Sequence, residues 1–130
     1  MLPKKVLIID DEKMIRLTTG ILLKKEGINV VEAVNGFEGL KKVASENPDL
    51  ILLDIMMPAM DGWEVLDHLQ NNESTSSIPV IIFTAGDFIE AEKKAKEKNV
   101  HGIIRKPFRL DKMLEIISIE GKEGQENGKC

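Results

Sequence analysis

The sequence predicts an α/β domain, a five-stranded parallel sheet covered by helices on both faces. Short continuous apolar runs recur along the 130 residues, at 6–9, 50–53 and 78–83 among others. Strands buried on both faces look like this, because helices cover both sides of such a sheet. Stretches with apolar residues at helical spacing alternate with the runs, and strict alternation implies parallel strands joined by right-handed crossovers. Turn and cap residues mark the boundaries.

The first strand is residues 6–9, Val-Leu-Ile-Ile, and ends in Asp10, Asp11 and Glu12. In the helix that follows, Met14, Thr18, Ile21, Leu22 and Lys25 fall at helical spacing, with Met14, Ile21 and Leu22 as its expected apolar stripe, and Gly27 as its stop. Residues 28–33 are rich in β-branched side chains and form the second strand, turned by Asn35-Gly36. Phe37, Leu40 and Ala44 mark the inner face expected of the second helix, which Asn47-Pro48 closes. The third strand ends on Asp54. Asp61 is placed to cap the third helix, through Trp63, Leu66 and Leu69, with Glu64 at the capping-box position. A polar loop over 71–77 leads to a fourth strand over 78–83, ending at Thr84-Ala85-Gly86. Phe88, Ala91 and Ala95 face inward from a charged fourth helix over 87–99. A short fifth strand over 101–104 runs into Arg105-Lys106-Pro107. Leu110, Met113, Leu114 and Ile117 then recur at i, i+3, i+4 and i+7 in the last helix. One domain over 1–119 is expected, with a Gly- and charge-rich disordered tail over 120–130.

Composition narrows the function. Apolar residues are 42% and charged residues 31%, a soluble globular balance, and the net charge of −4 argues against a nucleic-acid-binding surface. No apolar run approaches a membrane span. The N-terminus passes directly into a strand, so no targeting peptide is expected, and the lone Cys130 has no internal disulfide partner. A cytoplasmic setting follows as the default.

The chemistry collects at the strand ends. Asp10 and Asp11, Asp54, Thr84 and Lys106 each follow or close a different strand. In a parallel sheet those ends share one edge, the edge where ligands bind in open α/β folds. Each residue alone reads as a cap, a turn residue or a solvated charge; the convergence is what carries information. Three carboxylates repel one another, and a hard divalent cation relieves that repulsion. A hydroxyl at Thr84 and an ammonium at Lys106 suit a phosphoryl oxygen, and a carboxylate beside Mg²⁺ can serve as the nucleophile.

Asp10-Asp11, Asp54 with Met57-Pro58 and Asp61-Gly62, Thr84-Ala85, and Lys106-Pro107-Phe108 together resemble the receiver domain of bacterial two-component response regulators. The resemblance implies a flavodoxin-like fold with strand order 2-1-3-4-5. Asp54 would accept a phosphoryl group from a sensor histidine kinase, a histidine phosphotransfer protein or a small acyl phosphate. Mg²⁺, or Mn²⁺, would be bound by Asp11, Asp54 and the backbone carbonyl of Met56, with Asp10 acting through water. Lys106 would pair with the phosphoryl group, and the Lys106-Pro107 bond would be cis. Thr84 would shift toward the phosphoryl oxygen and re-set the face of helix four, strand five and helix five for a downstream protein. The family's aromatic switch position is Ile103 here, and the chain has no Tyr. The resemblance further implies a stand-alone, single-domain phosphoacceptor without nucleic-acid or membrane contact, monomeric or dimerising on phosphorylation, whose only catalysis is of its own phosphorylation and dephosphorylation. The alternative is a receiver-like interaction module that works without phosphorylation. A hydrolase with an aspartyl nucleophile would place a second Asp where Met56 stands. A dinucleotide binder would show a Gly-rich loop after a strand, and none is present.

Overall fold

The computed structural model describes residues 2–118. The expected tail over 120–130 lies outside them. Strands and helices alternate throughout: β1 (Lys5–Ile9), α1 (Lys13–Lys25), β2 (Asn29–Ala33), α2 (Gly36–Glu46), β3 (Leu50–Asp54), α3 (Gly62–Gln70), β4 (Val80–Thr84), α4 (Phe88–Lys98), β5 (Gly102–Arg105) and α5 (Leu110–Ile117). The strands form one parallel sheet in the order β2-β1-β3-β4-β5, a flavodoxin-like arrangement with its central strands buried on both sides. β4 begins two residues later than the apolar pattern suggests. Pro79 lacks an N–H to give a ladder, and Ile78 donates its own to Thr75 instead.

Side chains alternate across each strand, and the core divides accordingly. Leu7 and Ile9 of β1 join Ile51, Leu53 and Ile82 beneath Val43 of α2 and Val65, Leu66 and Leu69 of α3. Val6 and Ile8 join Leu50, Leu52, Ile81 and Phe83 beneath Leu23 of α1 and Met113 and Ile117 of α5. The capping box at Asp61 forms as expected, with the Asp61 carboxylate accepting from the Glu64 N–H and the Glu64 carboxylate accepting from the Asp61 N–H, both at 3.0 Å. Among the described residues no helix is long and apolar enough to cross a membrane.

Two helices present faces other than those expected. On α1 the buried residues are Arg16, Thr19, Gly20 and Leu23, while Met14 and Ile21 are exposed and Leu22 is only half-buried. On α2 they are Gly36, Gly39 and Val43, while Phe37 and Ala44 are exposed and Leu40 is half-buried. On α2 close approach is the cause. A Cβ on Gly39 would stand 2.6 Å from Ile9 Cδ1, and one on Gly36 would stand 2.7 Å from Val65 Cγ2. α2 lies too near β1 and α3 for bulky apolar groups, so small residues take its inner face, whereas α1 turns Arg16 and Leu23 inward beside Gly20.

Candidate functional site

The C-terminal ends of β1, β3, β4 and β5 bring Asp10, Asp54, Thr84 and Lys106 to one edge. In the sheet register Ile9 pairs with Leu53, so Asp10 and Asp54 emerge side by side on adjacent strands. All four are buried, and the only other buried polar or charged side chains among the described residues are Arg16 and Thr19. Burial of this kind is costly for charged groups and requires partners.

Lys106 supplies the main partnership. Its Nζ lies 2.8 Å from Asp10 Oδ2, 3.1 Å from Glu12 Oε1 and 3.6 Å from Asp54 Oδ1. The Lys106 N–H donates to the Thr84 carbonyl at 2.8 Å, and Phe108 stacks on Phe83 with ring centroids 5.6 Å apart. These contacts fasten the segment after β5, in which the Lys106-Pro107 peptide is cis. Asp54 Oδ1 accepts the Met56 N–H at 3.1 Å, and Thr84 Oγ1 accepts the Gly86 N–H at 3.2 Å, leaving its own proton to donate.

The electrostatics are unbalanced. Burial pushes the Asp54 carboxyl up to about 7, and the neighbouring Asp10 charge adds to the rise; the Met56 N–H and Lys106 oppose it. Burial pulls the Lys106 ammonium down, but its hydrogen bond to Asp10 and the charges of Asp54 and Asp10 more than offset this, and it rests above its ordinary value. Asp10, Glu12 and Asp54 each present an oxygen within 4.8 Å of the others. Three carboxyl groups share one ammonium, and every donor is a hard oxygen. The group fits a divalent cation such as Mg²⁺.

The expected ligand set held Asp11 and not Glu12. Asp11 is exposed and stands outside the close trio, whereas Glu12 reaches Lys106. The Glu12 N–H donates to Asp10 Oδ1 at 2.9 Å, an Asx-type turn, and Glu12 itself has extended backbone at φ −90°, ψ 112°. The turn brings the Asp10 and Glu12 side chains to the site together, and no periodicity in the sequence signals it. Met56 lies two residues after Asp54 with its side chain largely exposed, and its Sδ would be 2.9 Å from a Cβ on Gly86. Ile103 is half-buried on β5, paired in register with Ile82.

A family model described as "Response regulator receiver domain" matches residues 6–118. The chain is 38% identical over 113 residues to Protein PilG of Pseudomonas aeruginosa, covering 87% of this chain and 84% of that protein. It is 35% identical over 117 residues to Sporulation initiation phosphotransferase F of Bacillus subtilis, covering 90% of this chain and 93% of that one. Among solved structures, the receiver domain of the Francisella response regulator 1452 superposes with a TM-score of 0.82 at 30% identity, covering 94% of this chain and 99% of the other.

Proposed function

The chain belongs to the response regulator receiver family, and on that premise we propose that Asp54 accepts a phosphoryl group in a Mg²⁺-dependent reaction and that the resulting phosphoaspartate re-sets a protein-binding face. The observation that carries this reading is the buried Asp54 carboxylate, 3.6 Å from the Lys106 ammonium and grouped with Asp10 and Glu12. One Asp54 oxygen attacks phosphorus. The new O–P bond forms as the bond from phosphorus to the donor's histidine nitrogen, or to the acyl oxygen of a small phosphate, breaks, and the leaving group keeps the electron pair. Asp54, Asp10 and Glu12, with the Met56 carbonyl beside them, would hold the cation, and Asp11 would join by turning inward from the same loop. Mg²⁺ there would neutralise charge on the phosphoryl oxygens. Lys106 exchanges its contact with Asp10 for a phosphoryl oxygen, and Thr84 donates its free proton to another.

The switch follows from what those two residues are tied to. Thr84 moving off Gly86 draws the loop that leads into α4, and the Lys106 N–H bond to the Thr84 carbonyl links the same event to β5. The new dianionic group thereby selects one of two arrangements of the α4–β5–α5 face, which is proposed to take the downstream protein. With isoleucine at 103, the shift passes through the loop rather than through an aromatic ring.

A phosphodonor has to reach the site over the sheet edge. α1 begins beside Glu12 and exposes Met14, Leu17 and Ile21 at i, i+3 and i+7, 69%, 41% and 54% accessible. This apolar strip is the proposed seat for a histidine kinase or histidine phosphotransfer partner.

Incubation with acetyl phosphate and Mg²⁺ tests the chemistry by intact mass. The expected result is a gain of one hydroxylamine-labile phosphoryl group, lost when the metal is chelated. No gain from either acetyl phosphate or a phosphorylated histidine donor would leave only the phosphorylation-independent module. A second test addresses the switch. Lys106→Met should slow phosphorylation roughly ten- to a hundredfold, the scale of one lost charge-assisted contact of about 1.5–3 kcal/mol. Once phosphorylated, the variant should fail to show the amide shift changes over α4 and β5 that the wild type shows by NMR. Identical changes in the two proteins would remove Lys106 from the coupling.

A further inference from the structure

Asp10 is fixed at every polar atom it has. Its N–H donates to the Ala33 carbonyl at 3.1 Å, and its Oδ1 accepts the Glu12 N–H at 2.9 Å. Its Oδ2 accepts from Lys106 Nζ at 2.8 Å, and its backbone carbonyl accepts from Arg16 Nη1 at 2.7 Å. The last bond is the unusual one. Arg16 is buried on the inner face of α1, at a place the helical period would give to an apolar residue. Its Nε also donates to Glu32 Oε1 of β2 at 3.2 Å. Lys42 Nζ of α2 in turn donates to the Glu32 backbone carbonyl. One guanidinium therefore joins α1, the end of β1 and the neighbouring edge strand at the point where the chain turns into the site.

Leaving an arginine in this place is costly unless its geometry matters, since an apolar side chain would seat the helix with no charge to bury. The fork of the guanidinium can grip two acceptors at fixed angles, which a lysine cannot do.

We infer that Arg16 is a positioning residue for the cation site, clamping the peptide of Asp10 so that its carboxylate is presented beside Asp54. This rests on the proposed metal-dependent reading and extends it to a residue with no contact to the cation or the phosphoryl group. Groups that orient metal ligands from behind affect affinity strongly when removed, commonly by ten- to a hundredfold.

Electrostatics alone predicts the opposite sign, which makes the inference testable. Removing a positive charge near a cation site tightens cation binding; loosening Asp10 weakens it. Calorimetric titration with Mg²⁺ at fixed ionic strength is the measurement, on wild type, Arg16→Gln, Arg16→Lys and Glu32→Gln. The expected result is Mg²⁺ affinity about tenfold weaker in Arg16→Gln, with Arg16→Lys between it and wild type. With acetyl phosphate, the Mg²⁺ concentration for half-maximal rate should rise in step while the rate at saturating Mg²⁺ stays near wild type. A purely structural role would lower the unfolding midpoint and leave the Mg²⁺ affinity of the folded protein unchanged. Unchanged or tighter binding in folded Arg16→Gln overturns the inference and leaves the phosphoacceptor reading standing. Absence of Mg²⁺ binding in the wild type sinks both. Should Arg16→Gln not fold, Glu32→Gln decides, because it frees one arm of the clamp from a partly exposed partner. Wild-type affinity in that variant and in Arg16→Lys would overturn the proposal.

Discussion

Asp54→Asn is expected to fold, to accept no phosphoryl group from acetyl phosphate and Mg²⁺, and to be more stable than the wild type in metal-free buffer at pH 8. Loss of acceptance follows from loss of the nucleophile, because a carboxamide oxygen in this position forms no acyl phosphate. The stability gain follows from the carboxyl itself. Its folded-state value is raised from the ordinary 3.8 to about 7 by burial and by Asp10. Between those values the folded protein holds a proton that the unfolded chain has released, so wild-type stability falls as pH rises. Below about pH 4 both states are protonated and the penalty vanishes; above about pH 7 it is complete, on the order of 4 kcal/mol. Urea unfolding of both proteins in chelator at pH 4 and pH 8 checks this. The variants should converge at the acid end and separate at the alkaline end, with Asp54→Asn the more stable. Mg²⁺ at pH 8 should narrow the gap by stabilising the wild type. Equal stability at both pH values would show that the carboxyl bears no such strain.

Gly62→Ala carries the largest expected structural effect. Gly62 opens α3 and donates its N–H to the Ile55 carbonyl at 3.1 Å, which lays the helix directly on the backbone leaving β3. A Cβ there would collide with the Asp54 carbonyl and lie 2.5 Å from Ile55 Cα. Main chain at the end of a buried strand cannot swing aside as a side chain can. A cost of about 3 kcal/mol is expected, at the upper end of what overpacking brings. The phosphorylation rate of the folded fraction should fall as well, because the displaced backbone carries the acceptor. Gly102→Ala is the comparison. Its nearest neighbour would be Ile116 Cγ2 at 2.8 Å, a side chain able to turn, so the loss should be smaller. Chemical denaturation and acetyl phosphate kinetics on the two variants decide the point. A Gly62→Ala protein within 1 kcal/mol of wild type would refute the close-docking account.

Much of this site could be read from the chain before folding. Asp54 and Thr84 each end an apolar run, and run boundaries survive translation into strand ends because strands buried on both sides admit few polar residues. Lys106 follows the short edge strand β5, separated from its last apolar position by Arg105. Asp61 and Glu64 name the start of α3 through a local motif that needs no tertiary partner. The faces of α1 and α2 were not legible in the same way. Period analysis weighs apolarity, whereas at Gly36 and Gly39 the packing selected smallness and on α1 it turned the charged Arg16 inward. Glu12 was hidden for a related reason, since which of two successive acids faces inward depends on one turn of backbone after Ile9.

The sequence by itself determined the alternation of strands and helices and the strand ends that bear the chemistry, and its motifs resemble those of the receiver family. The first two are local patterns set by periodicity, caps and turn residues. Only the tertiary structure decided which acids meet Lys106, how far burial raises Asp54, and that Arg16 turns inward to hold Asp10. Those depend on distances of a few ångströms between segments far apart in the chain, where Lys106 and Asp10 are joined across 96 positions. Charge interactions change steeply over such distances once water is excluded, and no local pattern encodes them.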